Sequence, residues 1–217
     1  MNSYERQAVR GLAGGILGRR LGAGLSVLVL AAAGVLLHRY LPSTGGTGAA
    51  HASSPGSSVP AGAYDLVGTI VKVADGDTVT LLTDERQQHR IRLDSIDSPE
   101  ASHGADEPGQ PFAEAARQNL AALVAGKHLT ARCYETDQYR RDVCALMLDD
   151  GSSANRAQVA GGYAWAYTAR HGAYLRDGAM PALQRQARQA GLGLWARPGA
   201  GEPWKWRYDC WKQRQCQ

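Results

Sequence analysis

A run of alternating apolar and polar residues in the first third of the chain is followed by a tight-turn signal. The run covers residues 66–73, and Asp75-Gly76 follows after one intervening residue. Asp-Gly between two alternating runs is a strong signal for a β-hairpin. Residues 78–82 then form a predicted returning strand, and residues 89–96 a third one. The pattern therefore predicts a three-stranded meander.

Later segments predict a second hairpin and three helices. Two apolar runs at residues 128–133 and 143–148 flank a turn, and helical spacing marks residues 111–126, 155–160 and 181–190. Periodicity alone gives no more than the α+β class. Five strands with about three helices inserted late are typical of a small closed barrel of the oligonucleotide/oligosaccharide-binding type, the OB fold. We therefore expect a five-stranded OB-fold barrel.

The N-terminal residues have the composition of a targeting segment followed by a linker. An uncharged run from Leu21 to Leu37 follows a polar, arginine-containing start. As a helix this run would be about 26 Å long, just under the thickness of a bilayer's hydrocarbon core. Basic residues before it favour a cytoplasmic N-terminus. We expect a single-pass signal anchor in the inner membrane, and a cleaved secretory signal is the alternative.

The expected organisation has five parts, and the folded domain lies on the far side of the membrane from the N-terminus. If the signal is cleaved, the domain would be secreted or periplasmic instead. The parts are a cytoplasmic segment (1–20), a transmembrane helix (21–40), a flexible Gly/Ser/Pro-rich linker (41–63), the folded domain (64–207) and a cysteine-containing tail (208–217). The formal net charge of +4 and the sequence pI of about 9.0 fit an anionic partner without requiring one.

Two acidic turns carry the candidate metal ligands. Asp77 lies in the first turn and Asp97 in the second, and Ser98 follows with a backbone carbonyl that can also coordinate. Oxygen ligands of this kind suit Ca²⁺ or Mg²⁺ rather than Zn²⁺. The alternative for each aspartate taken singly is an ordinary turn-forming role.

Three further charged residues are candidates for catalysis. Glu100 comes three residues after Asp97, where a carboxylate can deprotonate water beside a metal ion. Arg92 alternates with apolar neighbours on a predicted strand, and Arg141 ends the turn of the second hairpin. Two guanidinium groups from different elements can hold the oxygens of a phosphodiester. The alternative is a helix-start glutamate and two surface ion-pair arginines.

These motifs occur together in an order that resembles the staphylococcal (thermonuclease) nuclease family. They are Asp-Gly-Asp-Thr at 75–78, Arg-x4-Asp-Ser-Pro-Glu at 92–100 and Asp-Gln-Tyr-Arg-Arg at 137–141. The sequence Pro-Trp-Lys-Trp-Arg at 203–207 is similar to the tail of secreted or anchored bacterial members. Arg140 departs from the family by replacing the usual glycine of its turn, and Gln138 replaces a lysine.

The resemblance implies a mechanism and a role for each candidate residue. Ca²⁺ would be bound by Asp77, Asp97 and the Ser98 carbonyl. Glu100 would activate water, while two arginines, Arg92 and Arg141, would bind the phosphate and the transition state. The implied reaction is hydrolysis of DNA and RNA at the 5′ P–O bond, which leaves 3′-phosphates. We expect the protein to be a monomer. The alternatives are a non-catalytic nucleic-acid-binding barrel and a surface protein whose Trp-rich tail binds cell-wall glycans.

The four cysteines favour two disulfide bridges if the domain is exported. Cys133 and Cys144 are equally far from the centre of the second hairpin's turn, so a regular hairpin places them opposite each other. Cys210 and Cys216 can close a small loop near the C-terminus. The alternative is four reduced thiols in a cytosolic domain.

Overall fold

The computed structural model describes residues 59–216. The predicted cytoplasmic segment and transmembrane helix lie outside the described residues, and so do residues 41–58 of the predicted linker. The strands of the described part are β1 (Tyr64–Val73), β2 (Thr78–Thr83), β3 (Gln88–Leu93), β4 (Ile96–Asp97), β5 (His128–Thr136), β6 (Asp142–Met147) and β7 (Trp165–Ala166). The helices are α1 (Ala113–Val124), α2 (Ala154–Ala160), α3 (Ala169–Gly172), α4 (Met180–Gln189) and α5 (Pro203–Trp206). A 3₁₀ turn covers Gly193–Ala196, and a π-helical turn covers Arg207–Lys212.

Five strands close into a barrel in the order β1-β2-β3-β6-β5, which confirms the predicted five-stranded barrel. Neighbouring strands are antiparallel except β3 and β6, which run parallel. Two short strands, β4 and β7, form a separate antiparallel pair beside the barrel. The barrel thus leaves β4, which carries Asp97, outside its wall.

The core lies inside the barrel and beneath α1. Inward-facing residues of neighbouring strands, such as Val79 and Ile91, are fully buried because alternate strand residues point to the same face. Leu120 and Val124 of α1 are fully buried against them. Helix α1 therefore covers apolar surface that the barrel alone would expose.

The third strand is shorter than the predicted range of residues 89–96. Strand β3 ends at Leu93, and Ser95 has a left-handed backbone with φ 62°. The Ser95 hydroxyl accepts hydrogen bonds from the backbone N–H groups of Arg176 and Asp177, at 2.8 and 2.9 Å. This turn redirects the chain into β4 and away from the barrel ladder. The prediction failed here because hydrophobic alternation does not reveal a turn that distant residues stabilise.

The described residues contain five helices, where the sequence predicted about three. The predicted helices correspond to α1, α2 and α4. The other two, α3 and α5, are four residues long and too short to show helical periodicity. No helix between residues 59 and 216 is both long enough and apolar enough to span a membrane.

Both predicted disulfide bridges are present. Cys133 and Cys144 are direct partners across β5 and β6, and their sulfur atoms are bonded. Cys210 and Cys216 close a loop at the end of the described chain. The first bridge joins the two strands just below the turn that carries Arg141.

Candidate active site

The first acidic turn, residues 75–78, connects β1 and β2 and is packed tightly in place. An added Cβ at Gly76 would lie 2.7 Å from the Cβ atoms of both Ala116 and Ser98, so only glycine fits there. The Gln158 side-chain amide donates a hydrogen bond of 2.6 Å to the Gly76 carbonyl. The turn is therefore fixed between α1, α2 and the second acidic turn.

Asp77 connects the two acidic turns. Its Oδ2 accepts a hydrogen bond of 2.8 Å from the Ser98 backbone N–H, and its Oδ1 accepts one of 3.1 Å from the Thr78 hydroxyl. Burial raises the pKa of Asp77, but the charge of Arg92 and the Ser98 N–H outweigh it and hold the pKa below its usual value. Asp77 is therefore a buried carboxylate held in its ionised form.

A single guanidinium, that of Arg92, joins the two predicted metal ligands. Its Nη1 lies 3.2 Å from Asp77 Oδ2, and its Nη2 lies 2.7 Å from Asp97 Oδ1. The Arg92 side chain is only 13% exposed, and its Nη1 also donates to the Leu93 carbonyl. Strand β3 thus places the Arg92 guanidinium between the two acidic turns.

Glu100 lies beside Asp77 and Asp97, and its side chain is 16% exposed. Together with Asp75, these residues form what we call the acidic cluster. Burial raises the pKa of Glu100 to about 7 from its ordinary value of 4.5. The nearby charge of Arg207 opposes this rise, while the charges of Asp97 and Asp77 add to it. Asp75 behaves similarly, because burial and then the charge of Asp77 raise its pKa to about 7. A carboxylate with a pKa near neutrality is well suited to general-base catalysis.

The sequence did not identify Arg207 as a site residue, yet it contacts the same carboxylates. Its Nη2 lies 2.8 Å from Asp97 Oδ2 and its Nη1 lies 3.2 Å from Asp97 Oδ1. The same Nη1 also donates to Glu100 Oε1. A signal for this residue was available, since Arg207 ends the Pro-Trp-Lys-Trp-Arg stretch that resembles the family's tail.

Arg141 lies at the tip of the β5–β6 hairpin. Its backbone N–H and its Nε donate to Asp137, at 2.9 and 2.8 Å, and its guanidinium lies 5.4 Å from the centre of the Tyr139 ring. Arg140 has a left-handed φ of 59°, a conformation that glycine adopts more readily than other residues. Within residues 59–216, no hydrogen bond or ion pair joins Arg141 to the acidic cluster.

The position of Arg141 in the sheet nevertheless keeps it near the Arg92 strand. Strand β6 begins one residue later at Asp142, whose Cα partner on β3 is Ile91. Arg92 is paired in the same ladder with Val143. Arg141 therefore starts the strand that runs beside β3, and its long side chain is held by Asp137 rather than by the acidic cluster.

Asn155, at the first turn of α2, supports the turn before Asp97 from inside the protein. Its side-chain amide donates to the Asp94 carbonyl and carboxylate, at 3.1 and 2.9 Å, and to the Cys144 carbonyl at 3.0 Å. Its Oδ1 accepts a hydrogen bond from the Leu146 N–H. One fully buried side chain thus ties β6 to the turn that leads into β4.

An aromatic stack lies next to the acidic cluster. Tyr167 follows β7, and its ring stacks on Tyr174 at 5.3 Å and on Trp204 at 5.5 Å between ring centroids. Burial, followed by the charge of Asp97, raises the pKa of Tyr167. The stack therefore places flat apolar surface within electrostatic range of the predicted metal ligands.

The donor set of the cluster fits a hard divalent cation. Its carboxyl groups belong to Asp75, Asp77, Asp97 and Glu100. Among residues 59–216, the guanidiniums that face these four are those of Arg92 and Arg207. A divalent cation would balance the remaining negative charge. Among residues 59–216, no three His, Cys, Asp or Glu side chains hold a metal-binding arrangement by themselves. Carbonyl, water or substrate oxygens would therefore complete the coordination.

The barrel and its cluster define a class of protein. Carboxylates and guanidiniums meet where β3, the first turn and β4 come together at one end of a closed five-stranded barrel. Guanidinium groups beside acid–base carboxylates are suited to phosphoryl chemistry. The arrangement is that of an OB-fold phosphodiesterase.

Comparison with known proteins gives the family. Residues 90–197 match the profile of the staphylococcal nuclease homologues. A protein named micrococcal nuclease from Shigella flexneri is 39% identical over 158 residues, which cover 69% of this chain and 84% of the relative. An uncharacterized endonuclease of Escherichia coli O157:H7 is 35% identical over 144 residues, or 66% of this chain and 86% of the relative. Protein ParB of Escherichia coli is 37% identical over 153 residues, which cover 67% of this chain and 81% of the relative.

The chain therefore belongs to the staphylococcal nuclease family, and it is a hydrolytic nuclease with a nucleic-acid substrate.

Proposed function

We propose that this protein is a Ca²⁺-dependent nuclease that hydrolyses DNA and RNA at the 5′ P–O bond and leaves 3′-phosphates. The observation that carries the proposal is the convergence of Asp77 and Asp97 on the Arg92 guanidinium, with Glu100 beside them. Asp77, Asp97 and the Ser98 carbonyl would hold the cation. A bound Ca²⁺ would supply positive charge that stabilises the developing negative charge on the phosphate.

The protein's own residues account for the remaining steps. Glu100 would accept the proton of the attacking water, and a pKa near 7 suits that transfer at neutral pH. As the new P–O bond forms, the bond to the 5′ oxygen breaks and that oxygen takes up a proton from solvent. Arg92 would hold the phosphate oxygens in place. Arg141 would join it once its guanidinium turns from Asp137 to the substrate.

We also propose that the nuclease domain acts as a monomer outside the cytoplasm, attached to the inner membrane by residues 21–40. The two disulfide bridges support this location because such bridges persist in oxidising compartments. Basic residues precede the apolar run in the N-terminal sequence, and this order supports a cytoplasmic N-terminus with the nuclease domain on the other side of the membrane. Protease added to intact spheroplasts should digest the domain, and a domain that stays protected would contradict this part of the proposal.

The reaction is tested by incubating the full chain with plasmid DNA and with single-stranded RNA. We expect cleavage with Ca²⁺ and none after chelation with EGTA. We expect Glu100→Gln and Arg141→Ala each to lower kcat by about 100-fold or more. Glu114→Gln is the control for Glu100→Gln, because Glu114 is exposed and pairs only with neighbours on α1. Equal cleavage in EGTA would exclude dependence on Ca²⁺.

A further inference from the structure

We propose that Arg207, in the C-terminal segment of residues 203–216, is a positioning residue for the nuclease reaction. Arg207 would orient the Glu100 carboxylate toward the attacking water and set the charge beside the cation ligands. The inference rests on the proposed function and adds a residue to its machinery. Its first support is geometric, since Arg207 is the only described residue outside β3 whose guanidinium contacts Asp97.

The contacts of Arg207 require the fork of a guanidinium. Nη2 binds Asp97 Oδ2, while Nη1 is shared between Asp97 Oδ1 and Glu100 Oε1. Two nitrogens in a fixed plane thus hold three oxygens of two carboxylates. A lysine ammonium carries the same charge at a single point, so it cannot reproduce this arrangement. The orientation of Glu100 therefore depends on the shape of the Arg207 side chain as well as on its charge.

The segment is anchored on the loop that directly follows Glu100. The indole N–H groups of Trp206 and Trp211 both donate to the Pro108 carbonyl, at 3.2 and 2.9 Å. Arg214 donates to the Asp106 carbonyl at 2.7 Å. The Cys210–Cys216 bridge closes the end of the segment. The anchors are specific hydrogen bonds, so the position of Arg207 is built into the fold.

Gln110, in the same loop, connects the start of the C-terminal segment to the backbone of Glu100. Its Nε2 donates to the Gly201 carbonyl at 2.7 Å, just before the segment begins. Its Oε1 accepts a hydrogen bond of 3.3 Å from the Glu100 backbone N–H. The backbone of Glu100 is thus held by Gln110, and its carboxylate is held by Arg207. A flexible glutamate fixed at both ends is what a general base needs, because small displacements of a catalytic group cost rate.

The test measures kcat, KM and Ca²⁺ affinity of the full chain with Arg207→Ala and Arg207→Lys. We expect both variants to lose about 100-fold in kcat with KM changed by less than about threefold, because both lose the fork that orients Glu100. Calorimetry without substrate should show that Arg207→Ala binds Ca²⁺ about tenfold more tightly, because a repelling charge is removed. Arg207→Lys keeps the charge and should bind Ca²⁺ like the wild type.

Lys212→Ala is the matched control. Lys212 is exposed in the same π-helical turn, and its substitution removes the same charge from the same segment. We expect its kcat and Ca²⁺ affinity to equal those of the wild type. Circular dichroism checks folding, and if Arg207→Ala does not fold, Arg207→Lys alone carries the test.

A kcat for Arg207→Lys within about threefold of the wild type would overturn the inference. So would an Arg207→Ala protein that folds and binds Ca²⁺ no more tightly than the wild type. The proposed function fails separately, if the wild-type chain itself cleaves nucleic acid equally with Ca²⁺ and with EGTA.

Discussion

Replacing Gln158 with methionine should lower the free energy of unfolding by about 3 kcal/mol. Gln158 is fully buried on α2, and its amide joins three elements. Its Nε2 donates to the carbonyls of Gly76 and Ala116, at 2.6 and 3.0 Å. Its Oε1 accepts a hydrogen bond of 2.5 Å from Asn119. Methionine has nearly the same volume, so the substitution removes these hydrogen bonds with little change in packing.

The magnitude follows from which partners lose their hydrogen bond. The Gly76 carbonyl is buried in the first acidic turn, and its loss of a donor carries the largest cost, about 1–3 kcal/mol. Ala116 lies inside α1, where its carbonyl also accepts a backbone N–H from the next turn. Asn119 is only partly buried and can bind water. The lost hydrogen bonds to Ala116 and Asn119 together add about 1 kcal/mol. With about 2 kcal/mol for the Gly76 carbonyl, the total is about 3 kcal/mol.

Urea unfolding of the oxidised protein measures this difference. At a typical slope of about 2 kcal/mol per molar urea, the midpoint should fall by about 1.5 M. Gln118→Met is the control because Gln118 is exposed on α1, and its stability should change by less than about 0.5 kcal/mol. A Gln158→Met midpoint within about 0.2 M of the wild type would refute the claim that this amide holds the first acidic turn.

Further substitutions test other supports of the site. Replacing Cys133 and Cys144 by alanine opens a loop of 11 residues and should lower stability by about 3 kcal/mol, as measured by urea unfolding; no change would contradict a bridged hairpin. Gly76→Ala places a Cβ against two neighbours and should cost about 1–3 kcal/mol and weaken Ca²⁺ binding in calorimetry; unchanged binding would show that the turn can move freely. Burial raises the pKa of Asp137, but hydrogen bonds from Arg141 outweigh it and lower the pKa from its ordinary value of 3.8. Ionised Asp137 therefore stabilises the hairpin fully above pH 3.8, and this stabilisation is lost as the pH falls through the pKa of the folded state. Asp137→Asn should therefore lower the free energy of unfolding at pH 7. Because the variant lacks the titrating carboxylate, its free energy of unfolding should fall less than that of the wild type as the pH is lowered. An equal fall in both proteins would contradict this.

Local sequence patterns predicted the strands, and the number and order of the elements, rather than periodicity alone, favoured the barrel. The strands alternate, the first turn carries an Asp-Gly signal, and the acidic residues lie at strand ends. Neighbouring elements therefore bring Asp77, Arg92 and Asp97 together. The cysteine spacing predicted the hairpin bridge for the same reason, since it depends only on strand pairing.

Long-range contacts made the rest of the structure unpredictable from local patterns. The end of β3 depends on hydrogen bonds between Ser95 and a backbone segment about 80 residues later. Arg207 reaches Glu100 across a sequence separation of 107 residues, from a turn with no apolar periodicity. A sequence can indicate that such a tail packs somewhere, but only the fold shows which carboxylates its arginine contacts.

The most direct test of the proposed chemistry is hydrolysis of a short DNA duplex in H₂¹⁸O with Ca²⁺, followed by mass spectrometry of the products. We expect one ¹⁸O atom in each new 3′-phosphate and none in the 5′-hydroxyl ends, with product formation reduced about 100-fold by Glu100→Gln. Label in a 5′-phosphate, or an undiminished yield from Glu100→Gln, would contradict water attack at the 5′ P–O bond assisted by this carboxylate.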